Sequence, residues 1–281
     1  MMFDTHCHVQ FSAFKNDSLK VLNRCQEKNT LINTVGTQKD TSRLAVEIAE
    51  SHQGVWATIG LHPSHLFPTI IDEEESHFLS REENFDESYY SSLAQSSKVV
   101  GIGECGLDLY HLPENIEKEK VLAKQQSIFL QQLNFAQELN KALVVHVREA
   151  DKEMIDLLQS QIKPNSVRGV IHCYTGNWLA AQKYLELGFY IGFTGVITFP
   201  PKKNNPQPTL DILEVVKNIP LERMVIETDS PYLAPQAYRG QRCEPWMVEE
   251  VAKKISEIKK ISLQETLDLT SNNAQKLFKL V

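Results

Sequence analysis

Phe3-Asp4-Thr5-His6-Cys7-His8 is a short strand-like run that ends in two histidines one residue apart. Alternation along a strand sends His6 and His8 to one side and Cys7 to the other, so both imidazoles can reach one ion. By itself the pair decides nothing, because ordinary core histidines look the same. The rest of the chain supplies the context. Apolar, β-branched runs recur at about 2–8, 30–36, 55–60, 99–104, 142–147, 169–173, 189–193 and 224–228. Between them lie helix-periodic stretches such as 41–52, 117–140, 151–161, 178–187 and 210–217. This alternation predicts a parallel sheet covered by helices, and eight such units predict an α/β fold of the (β/α)8 TIM-barrel type. Two further apolar-periodic segments, 244–260 and 263–280, should cover the barrel.

Barrels of this kind carry their chemistry at the C-terminal ends of the strands. Here strand one ends in His6 and His8, strand four in Glu104, strand five in His146, strand six in His172 and strand eight in Asp229. Each residue alone has a bland reading: His146 in Val144-Val145-His146-Val147 could be a satisfied core histidine. Together they cannot all be bland. Burying four imidazoles and two carboxylates in one mouth without a cation would cost on the order of several kcal/mol in desolvation and like-charge repulsion. The set exceeds what one tetrahedral ion needs and suits two divalent ions roughly 3.5–4 Å apart with a bridging carboxylate. Glu104 is the expected bridge, with His6, His8 and Asp229 on one ion and His146 and His172 on the other. Asp229 is also the expected proton acceptor for an attacking water, so Asp229 and Glu104 are the candidate catalytic residues. A mixed imidazole and carboxylate site accepts zinc, manganese, iron and, more weakly, magnesium, and occupancy by one or by two ions is left open.

The same residues carry a family resemblance. Residues 3–8, Gly101-Ile102-Gly103-Glu104-Cys105-Gly106-Leu107-Asp108, His146-Val147-Arg148-Glu149-Ala150, His172-Cys173-Tyr174-Thr175-Gly176 and Glu227-Thr228-Asp229-Ser230-Pro231-Tyr232-Leu233 resemble the five signature blocks of the TatD family of metal-dependent deoxyribonucleases, in the family order. Gly60-Leu61-His62-Pro63, residues 193–199 and Tyr238-Arg239-Gly240 add secondary matches. The resemblance implies an amidohydrolase-like barrel, one or two divalent metals and phosphodiester hydrolysis of DNA, with exonuclease action the best-supported chemistry. It implies the same ligand set. The chain departs from the family at Cys243, where an asparagine is usual; read as a helix cap, cysteine would lose on the order of 1 kcal/mol there. A second departure is an acidic surface insertion at about 67–97, with Asp72-Glu73-Glu74-Glu75 and Arg81-Glu82-Glu83.

A phosphodiester needs donors beyond the metals. Arg148, two residues past His146, projects to the same side and is the first phosphate-binding candidate. His62 and His65 follow strand three, Lys202 and Lys203 follow strand seven, and Arg239 and Arg242 follow strand eight, where barrel enzymes often hold phosphate. Tyr110, Tyr174 and Tyr232 sit near the ligand blocks and could stack on bases, which would suit single-stranded DNA.

The 281 residues, 42% hydrophobic and 23% charged, fit an ordinary globular chain with one barrel domain over 1–281, since such barrels commonly run to about 250 residues. No run is apolar and long enough to span a bilayer, and no signal segment precedes strand one, so a cytoplasmic protein without a membrane partner is expected. Five scattered cysteines, three beside proposed ligands, read as reduced thiols. A net charge of −7 argues against a broad, histone-like surface but not against a phosphate substrate held by a few local cations. Two rivals remain: an amidohydrolase or esterase acting on a small cyclic substrate or on aminoacyl-tRNA, and a non-catalytic nucleic-acid-binding barrel. Action on a small cyclic substrate is disfavoured because Glu104, not a lysine, ends strand four, and the binding barrel because no ligand is missing; ester cleavage on aminoacyl-tRNA stays open.

Overall fold

The computed structural model describes residues 1–68 and 82–280. Eight strands, β1 Met2–Cys7, β2 Thr30–Val35, β3 Val55–Ile59, β4 Val99–Asp108, β5 Ala142–Arg148, β6 Gly169–Ile171, β7 Tyr190–Phe193 and β8 Met224–Ile226, lie parallel in sequential order. Helices α1 Ser18–Glu27, α2 Lys39–Ser51, α3 Glu87–Leu93, α4 Lys118–Glu138, α5 Asp151–Gln161, α6 Trp178–Leu187, α7 Gln207–Asn218 and α8 Val248–Lys259 follow the strands in turn, and α9 Leu263–Phe278 ends the series. Their ends obey local chemistry. Asn177 accepts from the Ala180 amide to start α6, Gly188 at φ 96° ends it, and Ser262 accepts from the Glu265 amide to start α9. The helix α1 lies in a stretch for which the sequence reading named no helix.

Strand eight meets strand one by an irregular seam. Cys7 and Ser230 form a single parallel bridge, the His8 amide donates to the Ser230 carbonyl at 2.8 Å, and the Asp229 amide donates to the His6 carbonyl at 2.9 Å. Lower down, where β8 has stopped, the buried Asp4 carboxylate takes over. It accepts from the Thr228 amide at 2.9 Å, the Thr228 hydroxyl at 2.6 Å and the His6 amide at 3.2 Å. Burial pushes the Asp4 carboxyl well above the usual range.

The two tail segments divide their work. The helix α8 packs as an ordinary outer helix, with Val248, Val251, Ala252 and Ile255 in the main apolar layer between sheet and helices. By contrast, Ala274, Leu277 and Phe278 of α9 join Phe3, Ala142, Val144, Val170 and Val225 from four different strands, which can meet only inside the barrel. Asn273 fixes this helix by donating to the carbonyls of Leu221 and Met224, both at 2.8 Å, at the start of β8. So α9 plugs the end opposite the mouth.

Of the acidic insertion, residues 69–81 lie outside the described residues. Its return is docked: Tyr90 of α3 is buried and stacks on Phe85 at 4.8 Å, and Glu82 pairs with Lys124 at 2.7 Å. No helix among the described residues is long and apolar enough to cross a membrane.

Candidate metal centre

Glu104 sits at the centre of the mouth because β4 is irregular there. Ile102 pairs with Leu143 and Cys105 with Val145, so β4 takes three steps where β5 takes two. Such a bulge re-aims a side chain. Gly103 and Gly106 flank it at φ +139° and +156°; a Cβ on them would lie 2.4 Å from the Val144 carbonyl oxygen and 1.9 Å from that of His146, so only glycine fits. A similar shift in β1 lies between Asp4 and Cys7. It lets Phe3 face the barrel interior at the bottom while His6 and His8 face it at the top. On the far side the strands end sooner than the sequence predicts, β6 at Ile171 and β8 at Ile226. Cys173 at φ 45° and Asp229 at φ 59° adopt left-handed turns that break the ladder at the mouth. His172 and Asp229 thus come from turns just past the strands, and Glu104 from mid-strand.

All six predicted ligand residues converge. His6 Nε2, His8 Nε2, Glu104 Oε2 and Asp229 Oδ1 form one group: His6 lies 3.2 Å from His8, 3.3 Å from Glu104 and 3.9 Å from Asp229, while His8 lies 3.3 Å from Asp229 and 4.0 Å from Glu104. Four donors held at 2.0–2.1 Å from one tetrahedral ion would be separated by about 3.3–3.4 Å. The other Glu104 oxygen, Oε1, faces a second group, with His146 Nδ1 at 3.0 Å, His62 Nε2 at 3.5 Å and His172 Nε2 at 3.6 Å. His172 Nε2 also lies 3.7 Å from Asp229 Oδ1.

Outer acceptors set three imidazoles. His8 Nδ1 is 2.7 Å from the Val35 carbonyl oxygen, His172 Nδ1 is 3.0 Å from Glu227 Oε1, and His146 Nε2 is 3.2 Å from Asp108 Oδ2. At His8 and His146 this contact holds the far nitrogen as the donor and turns the near nitrogen toward the mouth, which raises its basicity as a ligand, while Glu227 faces His172 as a charge partner. Glu227 and Asp108 were not singled out as functional from the sequence. The available signal was their spacing: Glu227 stands two before Asp229, and Asp108 four after Glu104, in blocks already quoted. Asp108 also binds the exposed His111 at 2.8 Å.

Burial opposes charging every group here, and specific neighbours decide the outcome. Burial would lower His172, but Glu227 and Glu104 outweigh it and push it up to about 10. His146 is likewise buried, yet Asp108 and Glu104 push it up to about 9. Burial would raise Glu104, and the surrounding imidazoles instead hold it well below the usual carboxylate range. The same contest, settled by His8, lowers Asp229. His62 differs: burial, then His146, push it down to about 3, so it is neutral. Raised values for His146 and His172 mean that both carry a proton at neutral pH which any metal must displace. Apparent metal affinity is therefore expected to climb as pH rises toward 9–10, with protons released on uptake at pH 7. Titration calorimetry in two buffers of different ionisation heat measures that release; uptake without it would remove His146 and His172 from the donor set.

The substrate candidates lie at varied distances from this cluster. His62 is within it. His62 Nδ1 lies 2.7 Å from Ser64 Oγ and accepts from the Ser64 amide at 3.2 Å, which places the proton on Nε2, toward Glu104. Arg148 is exposed at the end of β5, its guanidinium 5.0 Å from the Tyr110 ring centre. Arg239 is exposed and 4.3 Å from the Phe199 ring, and Lys202 and Lys203 are exposed on the loop after β7. Arg242 is committed elsewhere, in a two-pronged pair with Asp17 at 2.9 and 2.7 Å. Tyr174 is buried with its hydroxyl on the Asn177 carbonyl, so it offers no stacking face. The capping argument for Cys243 is also corrected: Glu244 occupies the cap position before Pro245, and Cys243 is a buried packing residue beside Ala234 and Met247.

Comparison with known proteins fits this architecture. The family described as TatD related DNase matches residues 3–279. An uncharacterized metal-dependent hydrolase, YabD of Bacillus subtilis, is 35% identical over 284 residues, covering 100% of both chains. A protein of Pantoea ananatis named 3'-5' ssDNA/RNA exonuclease TatD is 30% identical, again over 100% of both. The crystal structure of YjjV, a TatD homologue from Escherichia coli, superimposes with a TM-score of 0.79 at 25% identity, covering 99% of this chain and 98% of that one. With the barrel, the mouth and these relatives in agreement, the chain belongs to the TatD family and is a metal-dependent hydrolase.

Proposed function

We propose that this chain hydrolyses phosphodiester bonds of DNA from a strand end, using two divalent ions held by His6, His8, Glu104, His146, His172 and Asp229. One observation carries the reading: the Glu104 carboxylate gives Oε2 to one group of donors and Oε1 to the other. That split is what a bridging ligand requires. The donors fit a metal on their own chemistry, being imidazole nitrogens with preset lone pairs and ionised carboxylates. Divalent ions bound there would polarise a phosphoryl oxygen and activate water.

The remaining work falls to the chain's own groups. Asp229, ionised at neutral pH, accepts the proton of the attacking water. His62, neutral and protonated at Nε2, donates a hydrogen bond to a substrate oxygen rather than competing for it with a charge. Arg148 binds a backbone phosphate at the rim, where its fork matches two phosphate oxygens. Support for a nucleic-acid substrate, and for the direction of attack, comes from the exonuclease name of the Pantoea relative.

The test strips the protein of metal, refills it ion by ion, and offers end-labelled single- and double-stranded DNA, RNA and aminoacyl-tRNA. A ladder shortening from one end of DNA is expected. Arg148→Ala should raise KM for DNA about 10- to 100-fold, the worth of a charged hydrogen bond, with metal content unchanged. Loss of metal in that variant would remove Arg148 from substrate binding. Hydrolysis of a cyclic amide or lactone with no action on any nucleic acid would replace the nuclease reading.

A further inference from the structure

Among the described residues four arginines lie over aromatic rings: Arg148 on Tyr110, Arg223 on Tyr190, Arg239 on Phe199 and Arg242 on Phe14. Two of these are fastened to the protein. Arg242 is paired with Asp17 at 2.7 Å, and Arg223 donates to the Gly188 carbonyl at 2.9 Å, below the start of β8. Arg148 and Arg239 are different. Among the described residues neither guanidinium has a hydrogen-bond acceptor or a carboxylate partner, and each has only its ring. Both are exposed, and both stand at C-terminal strand ends like the metal-ligand cluster: Arg148 is the last residue of β5 and Arg239 lies in the segment after β8.

An unpaired guanidinium laid on a ring is a specific arrangement. The ring holds the fork in a narrow range of orientations, so less freedom is lost when an anion binds. The ring itself keeps surface for a second planar group: Tyr110 is 55% exposed and Phe199 is part exposed. Cation plus accessible ring is the combination that holds a nucleotide, with the fork on the phosphate and the ring on the base.

We propose that Tyr110 with Arg148, and Phe199 with Arg239, are two nucleotide-binding pads that flank the metal centre and stack on the bases adjoining the scissile bond. The proposal rests on the nuclease reading and adds the residues that grip the strand. Stacking of this kind ignores base identity, because every base has a π-face, so the pads favour unpaired strands without selecting a sequence.

The experiment pairs substrate with protein. Metal-loaded wild type, Tyr110→Ala and Phe199→Ala are given a single-stranded oligonucleotide that is intact or carries one abasic residue at the terminal, second or third position from the attacked end. In wild type, loss of a stacked base should raise KM about 5- to 100-fold. In the variant that lacks the matching ring the same abasic residue should cost nothing further, and the two rings should answer to different positions. Equal abasic penalties in wild type and both variants, with DNA still cleaved, would overturn the pads and leave the nuclease reading intact. Absence of cleavage of every strand by wild type would overturn both.

Discussion

Glu104→Ala is expected to empty both donor groups at once. Its two oxygens face different sets of imidazoles at 3.0–4.0 Å, so truncation removes a candidate ligand from each side in one step. It also removes the charge that, with Asp229, would offset that of bound divalent ions. Changes to outer partners of metal ligands cost roughly 10- to 100-fold in affinity or activity. A bridging ligand should cost more, at least about 1,000-fold in turnover, and metal content by elemental analysis should fall well below that of wild type. Removing Glu227 or Asp108 should give only the smaller loss. A Glu104→Ala protein with unchanged metal stoichiometry would contradict the bridge.

Asp229→Asn tests the proton acceptor with little disturbance to the backbone. Asp229 sits at φ 59°, a conformation that asparagine tolerates as well as aspartate, so the turn and its amide bond to the His6 carbonyl should persist. What is lost is a negative oxygen 3.3 Å from His8 and the base for the attacking water. General-base catalysis is typically worth about 10²–10⁴, and turnover should fall by at least about 100-fold with the circular dichroism unchanged. Near-normal turnover in a metal-loaded variant would take Asp229 out of the chemistry.

The barrel was legible because it depends on patterns that repeat: eight β-branched runs, most of them followed by helical periodicity. The convergence of the six candidate ligands was legible because polar side chains that end apolar runs are costly unless something compensates them. What stayed hidden was set by irregularity. Strict alternation holds from His6 to His8 but fails from Phe3 to His6, where the β1 bulge resets which residues face inward. The β4 bulge does the same for Glu104, and no propensity of Gly103 or Gly106 foretells it, since glycine marks equally a turn or a close approach. Glu227 and Asp108 were overlooked for a different reason. Their role is relational, being defined by which imidazole nitrogen they face. His62 was read as a substrate donor, and the Ser64 amide, two residues on, supplies the tautomer that this role requires. The plug formed by α9 could not be read either, because an amphipathic helix shows a buried face without saying what it is buried against.

The donors of the mouth come from β1, β4, β5 and the turns after β6 and β8, so they span residues 6 to 229 and include both sides of the seam that Asp4 stitches. No fragment of the chain, and no partly opened barrel, contains the full set. Ions that divide this set between them would therefore bind only the complete fold, and by mass action their free energy of binding would become resistance to unfolding, growing as the logarithm of free metal once that exceeds Kd. Chelation should then act on the molecule as heat does, loosening the whole circle of strands and not merely silencing its mouth. The metal is in this sense the last hoop on the barrel, closing it from the end that α9 leaves open.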